Sequence, residues 1–273
     1  MTAPFPTRRQ EEWRYADLDA LQPVWEQFSQ PLTLTVGAGE SFEEVWVNGD
    51  SPSGEGLSPQ DVQVRRMQIA LEAKAKARIF ILNAAAIYGR IELEVSLEEG
   101  AEFELFGANI GTGLSTNEIV TTVKHIGENG RSRQTVRSVL NGKAVGSYLG
   151  KVEVARGAQK TDAEQSVKAM LLDRGATANC KPELEIFADD VKCAHGASVG
   201  ELDADQLFYA ESRGLDPVSA RALLLEGFVM GLWDGVSDEA QREAICEAAR
   251  DALRWVSSSP ERGGGPAKLV EGA

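Results

Sequence analysis

Hydrophobic and polar residues alternate along most of the chain between Leu32 and Val191, a pattern typical of β-strands. In the segment RIELEVSL, Ile91 and Leu93 alternate with glutamates, so that one set of side chains faces a core and the other faces water. Residues 48–59 are rich in Gly, Pro and Ser and predict a loop. Residues 61–78 fit a strand that is followed either by a second strand or by a helix.

Gly-Ala dipeptides punctuate the β region at residues 100, 157, 175 and 196, and the last three are 18 and 21 residues apart. This spacing indicates stacked coils, in which every coil adds a layer to one continuous core. A β-sandwich also explains alternating strands joined by turns. The pattern alone therefore leaves a solenoid and a sandwich equally open.

The period changes to a helical one after Gly200. LDADQLFYAESRG predicts one helix, Asp216 and Pro217 predict the capped start of a second, and Ser237 predicts the start of a third. Their apolar faces either pack on the β body or receive a partner. The predicted parts are an N-terminal arm with a short helix (1–30), a β body (31–200), a helical lobe (201–256) and a disordered tail (257–273).

Composition narrows the classes of function. The chain has 273 residues, with 28 basic and 42 acidic side chains and a formal net charge of −14. This charge repels nucleic acid and anionic membranes, and it suits a protein partner or a cation. Neither a membrane-spanning run nor a signal sequence is evident, and three cysteines fit no disulfide framework, so a cytoplasmic protein is expected. The sequence contains no P-loop for a nucleotide.

Cys193 and His195 stand two residues apart and would face the same side of a strand. A thiol and an imidazole together suit a soft or borderline metal such as iron or zinc. Cys180, about one coil earlier, could supply a third ligand. A Cys–His nucleophile pair would instead need an orienting carboxylate, for which Asp189 and Asp190 are near in sequence. Two ordinary residues at the end of a strand are a further reading.

Two other groups of polar residues have simpler interpretations. His125 is expected to be a turn histidine that is hydrogen-bonded locally. The acidic residues Glu98, Glu99, Glu102 and Glu104 read most simply as a solvated strand face. The alternative function that they allow is a stand-alone β-helix enzyme that acts on polysaccharide with Glu102 and Glu104.

Four blocks of the sequence resemble the SufD branch of the SufB/SufD family of the Suf iron–sulfur cluster assembly machinery. The blocks are PTRRQEEWRYADL, GRSRQTVRSVLNGKAVGSYLGKVEVARGAQKTDAEQ, CKPELEIFADDVKCAHGASVGELDADQLFYAESRG and ARALLLEGF. The likeness is densest over 130–232. It implies a right-handed parallel β-helix, followed by a C-terminal helical lobe and preceded by a short helical arm. This chain is shorter than usual family members, and some early coils or an N-terminal helical bundle are expected to be absent.

The resemblance implies a scaffold subunit and not an enzyme. It implies pairing with SufB through the β-helices, docking of the ATPase SufC on the helical lobe, and a transient iron–sulfur cluster at the SufB interface, with no nucleotide on this chain. A homodimer of the isolated chain is a further candidate assembly. The metal-site residue that it implies is His195, with Cys193 in the same CAHG block and no role for Cys180. The implied SufC-binding residues are Leu207, Phe208, Tyr209, Arg213, Leu223 and Phe228.

Overall fold

A stack of parallel β-coils forms the body of the protein. The computed structural model describes residues 4–49 and 62–258. The strands in chain order are β1 (Leu32–Val36), β2 (Ser41–Asn48), β3 (Val62–Leu71), β4 (Lys76–Asn83), β5 (Tyr88–Leu97), β6 (Glu102–Gly111), β7 (Thr116–His125), β8 (Arg131–Leu140), β9 (Val145–Val154), β10 (Asp162–Leu171), β11 (Thr177–Ile186) and β12 (Lys192–Gly200). Within the described residues, the odd-numbered strands form one sheet of six and the even-numbered strands form a second.

Every neighbouring pair of strands is parallel, so each coil contributes one strand to each sheet. This confirms the parallel β-helix and excludes the sandwich. Hydrogen-bonded partners on neighbouring coils are 26 residues apart for Asn83 and Asn109, and 29 for Arg133 and Asp162. The predicted spacing of 18 and 21 residues is therefore not the coil length, because a coil holds two strands and two turns. Gly196 lies within β12 and not in a turn.

The ambiguous stretch at 62–78 is a strand followed by a strand, and the expected loop at 48–59 falls mostly outside the described residues. The helices are α1 (Leu18–Leu21), α2 (Trp25–Phe28), α3 (Ala204–Ser212), α4 (Pro217–Val229) and α5 (Glu239–Ser258). No helix among residues 4–49 and 62–258 is both long and apolar enough to cross a membrane.

The predicted cap of α4 is confirmed, and α3 begins with a cap of the same kind. The Asp203 carboxylate accepts hydrogen bonds from two backbone N–H groups at the start of α3, and Asp216 does the same before Pro217 in α4. Helix α5 begins at Glu239, two residues later than predicted, and it continues to Ser258. The start of the predicted tail is thus helical, and residues 259–273 lie outside the described residues.

The helical lobe packs on the outer face of the even-numbered sheet. Along β4, Ile79 and Ile81 point into the core of the coils, whereas Phe80 and Leu82 point outwards and are buried beneath the lobe with Trp233. The strand is consequently buried on both faces. At the far end of α5, the Asn141 side-chain amide donates to the Val256 carbonyl at 2.7 Å. These contacts answer the question that the sequence left open: most of the lobe's apolar surface is covered by the β body.

The N-terminal arm is held on the odd-numbered sheet by a buried guanidinium. Arg90 is fully buried, pairs with the equally buried Glu118 at 3.2 Å, and donates to the Glu12 carbonyl of the arm at 2.9 Å. Its guanidinium carbon lies 3.9 Å from the centroid of the Trp13 ring. Burial is the largest single influence on Arg90 and lowers its pKa, but Glu118, Tyr88 and Glu92 together outweigh it and the net shift of the pKa is upward.

Replacement of Arg90 by alanine is expected to lower the free energy of unfolding by about 3–5 kcal/mol, because Glu118 is left as a buried, unpaired charge. The arm should also become accessible to trypsin. Denaturant unfolding and limited proteolysis measure the two effects. The control is Arg66→Ala, which breaks the part-exposed ion pair with Glu92 at 2.9 Å and should cost much less. Equal losses in the two variants would contradict a special role for Arg90.

His125 is a structural histidine, as expected. It ends β7, is 1% exposed, and its Nε2 lies 2.9 Å from the Ser132 hydroxyl seven residues further on. Burial lowers its pKa from 6.5 to about 4. Below pH 6.5 the unfolded chain therefore binds a proton that the folded chain does not bind, and stability is lost as the pH falls towards 4.

His125→Gln is expected to remove about 3 kcal/mol of the stability difference between pH 7 and pH 4, since a glutamine does not titrate in this range. Urea denaturation of the parent and the variant at several pH values checks this. The other titrating groups are common to both proteins and cancel in the comparison. Identical pH dependence would show that His125 is protonated without cost in the folded protein.

Candidate metal and partner site

The last coil of the stack is open to solvent. It consists of β11 and β12, which are the terminal strands of their sheets in the part of the chain that the structure describes. Most residues of β12 are exposed, and Ile186 and Phe187 at the end of β11 are 39% and 58% exposed. Unpaired strand edges and exposed apolar side chains are features that a second β-structure can cover.

His195 is exposed on this open coil and belongs to the row of residues that faces the inside of the solenoid. It is in register with the buried Gln165 of β10, and Cys193 is in register with the buried Ala163. Cys193 is half-buried and packs against the main core cluster. The two side chains lie on the same strand face, as the sequence predicts, but only the imidazole is freely accessible.

Cys180 lies on the same coil as His195 and not on an earlier one, which corrects the expectation from spacing. It is on β11, in register with Tyr148 of β9, and therefore on the opposite wall of the coil interior. Burial raises the pKa of Cys180 to about 11 and also raises the pKa of Cys193. Without a metal both are thiols near neutral pH, and each would have to lose its proton to bind one. Among the described residues, no group of three His, Cys, Asp or Glu is placed to hold a metal ion.

A buried polar network beneath His195 was missed by the sequence reading. Gln165 donates to the Tyr148 hydroxyl at 3.0 Å, and that hydroxyl donates to Gln134 at 3.0 Å. The Thr121 hydroxyl also donates to Gln134, at 2.7 Å. A signal did exist: both glutamines occupy positions where the alternation of their strands predicts an inward-facing apolar residue.

The second predicted site, the helical lobe, keeps an exposed apolar surface on α3 and α4. Phe208 is 72% exposed, and Tyr209 and Leu223 are also well exposed. The Arg213 guanidinium donates to the Tyr209 hydroxyl at 2.9 Å and lies over its ring. Val218 of α4, which was not among the predicted residues, is 64% exposed. We call these five residues the helical face.

The other two predicted partner residues are placed differently. Leu207 is half-buried. Phe228 packs against the cluster that joins the lobe to the β body, 5.9 Å from the Arg137 guanidinium. Phe228 therefore helps to hold the lobe on the β body, and as a partly buried side chain it offers less surface to a partner than Phe208 or Leu223.

The acidic residues of the alternative enzyme hypothesis lie on outer surfaces. Glu102 and Glu104 are on the outer face of β6, and Glu102 is paired with Lys76 at 3.3 Å. Glu98 and Glu99 lie at the turn after β5. This arrangement fits a solvated, ion-paired strand face.

The chain is similar to a known protein family. The family model described as SUF system FeS cluster assembly, SufBD core domain, matches residues 53–228. This chain belongs to the SufBD family. Among curated relatives, it is 28% identical to an iron–sulfur cluster assembly SufBD family protein of Synechocystis over 79% of this chain and 47% of that protein.

Two relatives named iron–sulfur cluster assembly protein SufD are also similar. The Escherichia coli protein is 27% identical over 78% of this chain and 49% of its own length, and the Bacillus subtilis protein is 32% identical over 44% and 28%. The chain thus spans about half the length, or less, of the curated relatives that it matches.

Proposed function

We propose that this chain is a non-catalytic, SufD-like scaffold subunit for iron–sulfur cluster assembly. In this role it pairs with a SufB subunit through its open coil and binds the ATPase SufC through its helical face. The observation that carries the proposal is the exposed His195 on the terminal coil of a chain that belongs to the SufBD family.

The open coil supports pairing with a second β-helix. Its two strand edges offer backbone hydrogen-bonding groups, and Ile186 and Phe187 add apolar surface next to them. A second copy of this chain offers the same features, so a homodimer through this coil is the competing assembly.

His195 supports a role at the seam between the two subunits. An exposed imidazole is a good ligand for iron, whereas the Cys193 side chain is half-buried and packs against the core. Cys193 is therefore assigned to packing, and any remaining ligands for the nascent cluster come from SufB, sulfide or solvent. The cluster is the cargo of the complex and passes through this site.

The helical face supports binding of a protein. Its aromatic and aliphatic side chains are of the kinds that anchor interfaces, and Arg213 is already fixed against Tyr209. We assign ATP binding to SufC, because this sequence contains no P-loop. Three free cysteines are consistent with the cytoplasm as the location of the complex.

The test is to co-express the chain anaerobically with its SufB and SufC and to purify the complex. We expect a complex that contains all three proteins, together with iron and acid-labile sulfide. A chain that elutes alone or only as a homodimer in the presence of both partners would contradict the proposal.

A further inference from the structure

Gln165 lies directly beneath His195, one coil further into the stack. The two residues are in register on adjacent parallel strands, so their backbones are about 4.8 Å apart and their side chains leave the same face of the sheet. Gln165 is 1% exposed, whereas His195 is exposed. The side-chain amide of Gln165 therefore lies directly below the imidazole of His195, inside the solenoid.

Hydrogen bonds fix the orientation of that amide. The Tyr148 hydroxyl donates to Gln134 Oε1 and accepts from Gln165 Nε2, each at 3.0 Å. Gln165 Oε1 is then left buried with no hydrogen-bond partner in the described residues. A buried acceptor without a partner costs about 1–3 kcal/mol, which favours capture of any donor that comes within reach.

The close approach of Gly150 shows that space is reserved for this network. A Cβ atom at residue 150 would lie 2.1 Å from the Tyr148 hydroxyl and 2.5 Å from Gln165 Nε2. Only glycine leaves the two polar groups in contact. The side-chain amide of Gln165 thus has a fixed orientation, and so does its Oε1, which has no hydrogen-bond partner.

We propose that Gln165 is a positioning residue for His195: its Oε1 accepts a hydrogen bond from one ring N–H of the imidazole and so presents the other ring nitrogen outwards, to iron at the seam with the partner subunit. Histidine ligands of metals usually donate their second ring N–H to a carbonyl or carboxylate, which sets the tautomer and the ring orientation. The proposal rests on the proposed function for its metal, but the hydrogen bond itself is testable without any partner.

The first experiment measures the ratio of the two imidazole tautomers of His195 in the isolated full chain. Gln165→Met keeps the length of the side chain and removes the acceptor, and Gln165→Glu keeps an acceptor oxygen. The matched control is Asn109→Leu, two coils further down on β6, which is also fully buried but makes its hydrogen bonds with Asn83 and the Ser147 carbonyl and not with the Gln165 network. The chain has two histidines, so ¹⁵N and ¹H NMR of the imidazoles reports His195, with His125 as an internal reference.

One tautomer of His195 is expected to dominate in the parent and in Gln165→Glu. In Gln165→Met, the ratio of the two His195 tautomers should move by about threefold or more towards the ratio of a free imidazole. Asn109→Leu should leave the ratio of the two His195 tautomers unchanged, although it also removes buried hydrogen bonds. An unchanged His195 ratio in folded Gln165→Met overturns the proposal.

The second experiment uses the complex with SufB and SufC, with Fe²⁺ as the probe under anaerobic conditions. Gln165→Met is expected to weaken iron binding about tenfold, with recovery in Gln165→Glu and no change in Asn109→Leu. Unaltered iron affinity in Gln165→Met overturns the metal role. If His195→Ala itself retains full iron while the NMR ratio still depends on Gln165, the proposed function fails and the hydrogen bond stands.

Discussion

The complex that carries His195→Ala is expected to contain about one tenth or less of the iron and acid-labile sulfide of the parent complex, because removal of a metal ligand costs at least as much as removal of a group that only orients one. The side chain is exposed, so its loss should not affect the fold or the stoichiometry of the complex. Elemental analysis and sulfide assay of the anaerobically purified complex measure the effect.

Cys193→Ser is the control on the same strand. The thiol is half-buried, packs against the core and has a raised pKa, so we expect cluster content close to that of the parent, with a modest loss of stability. If Cys193→Ser instead removes the cluster and His195→Ala does not, the assignment of the ligand must be reversed. If neither variant changes the iron and sulfide content, the open coil of this chain does not bind the cargo.

The combined change Phe208→Glu and Leu223→Glu is expected to abolish co-purification of SufC. Both side chains are more than half exposed in this chain, so the substitutions should leave its fold intact. Central apolar anchors of an interface are worth about 2 kcal/mol or more each, and a buried, unpaired carboxylate at their place adds a further penalty. Pull-down and isothermal titration calorimetry with SufC measure the loss.

Leu114→Glu is the matched control for this experiment. Leu114 is 80% exposed in the turn between β6 and β7, outside the helical face, and the same chemical change there should leave SufC binding unaltered. Normal binding by the double variant, with its fold confirmed by circular dichroism, would exclude the helical face as the docking site. The outer surface of α5 would then be the alternative docking site.

The regular features of the fold were predictable from residue patterns. Asp203 and Asp216 mark the starts of α3 and α4, because a side-chain acceptor before a helix is a local device that needs no distant partner. The phase of each strand is equally readable, since in β5 the apolar residues Ile91 and Leu93 are buried between part-exposed glutamates. The alternation of apolar and polar residues does not show which strands pair with each other. The parallel β-helix was therefore predicted only from the resemblance to the SufBD family.

The site was only half predictable. The CAHG block led to His195, and the same-face relation of Cys193 followed from strand geometry. The position of Cys180 was predicted wrongly, since one coil holds two strands and the spacing cannot tell which wall of a coil a residue occupies. Phe228 was selected for its apolar character, yet apolar character does not distinguish a side chain that covers the body from one that awaits a partner.

The sequence by itself determined the local elements, the acidic surface and the residue types that can carry chemistry, because caps, strand phase and charge depend on neighbours along the chain. Tertiary structure alone decided that Arg90 holds the arm against the sheet, that the amide of Gln165 lies under the imidazole of His195, and that the pKa of Cys180 is raised to about 11. Each of these properties arises because the residue is buried beside residues that are distant in sequence. Burial shifts a pKa, and it can leave a hydrogen-bond acceptor without a donor. It also makes the pairing of a charged side chain necessary for the stability of the fold.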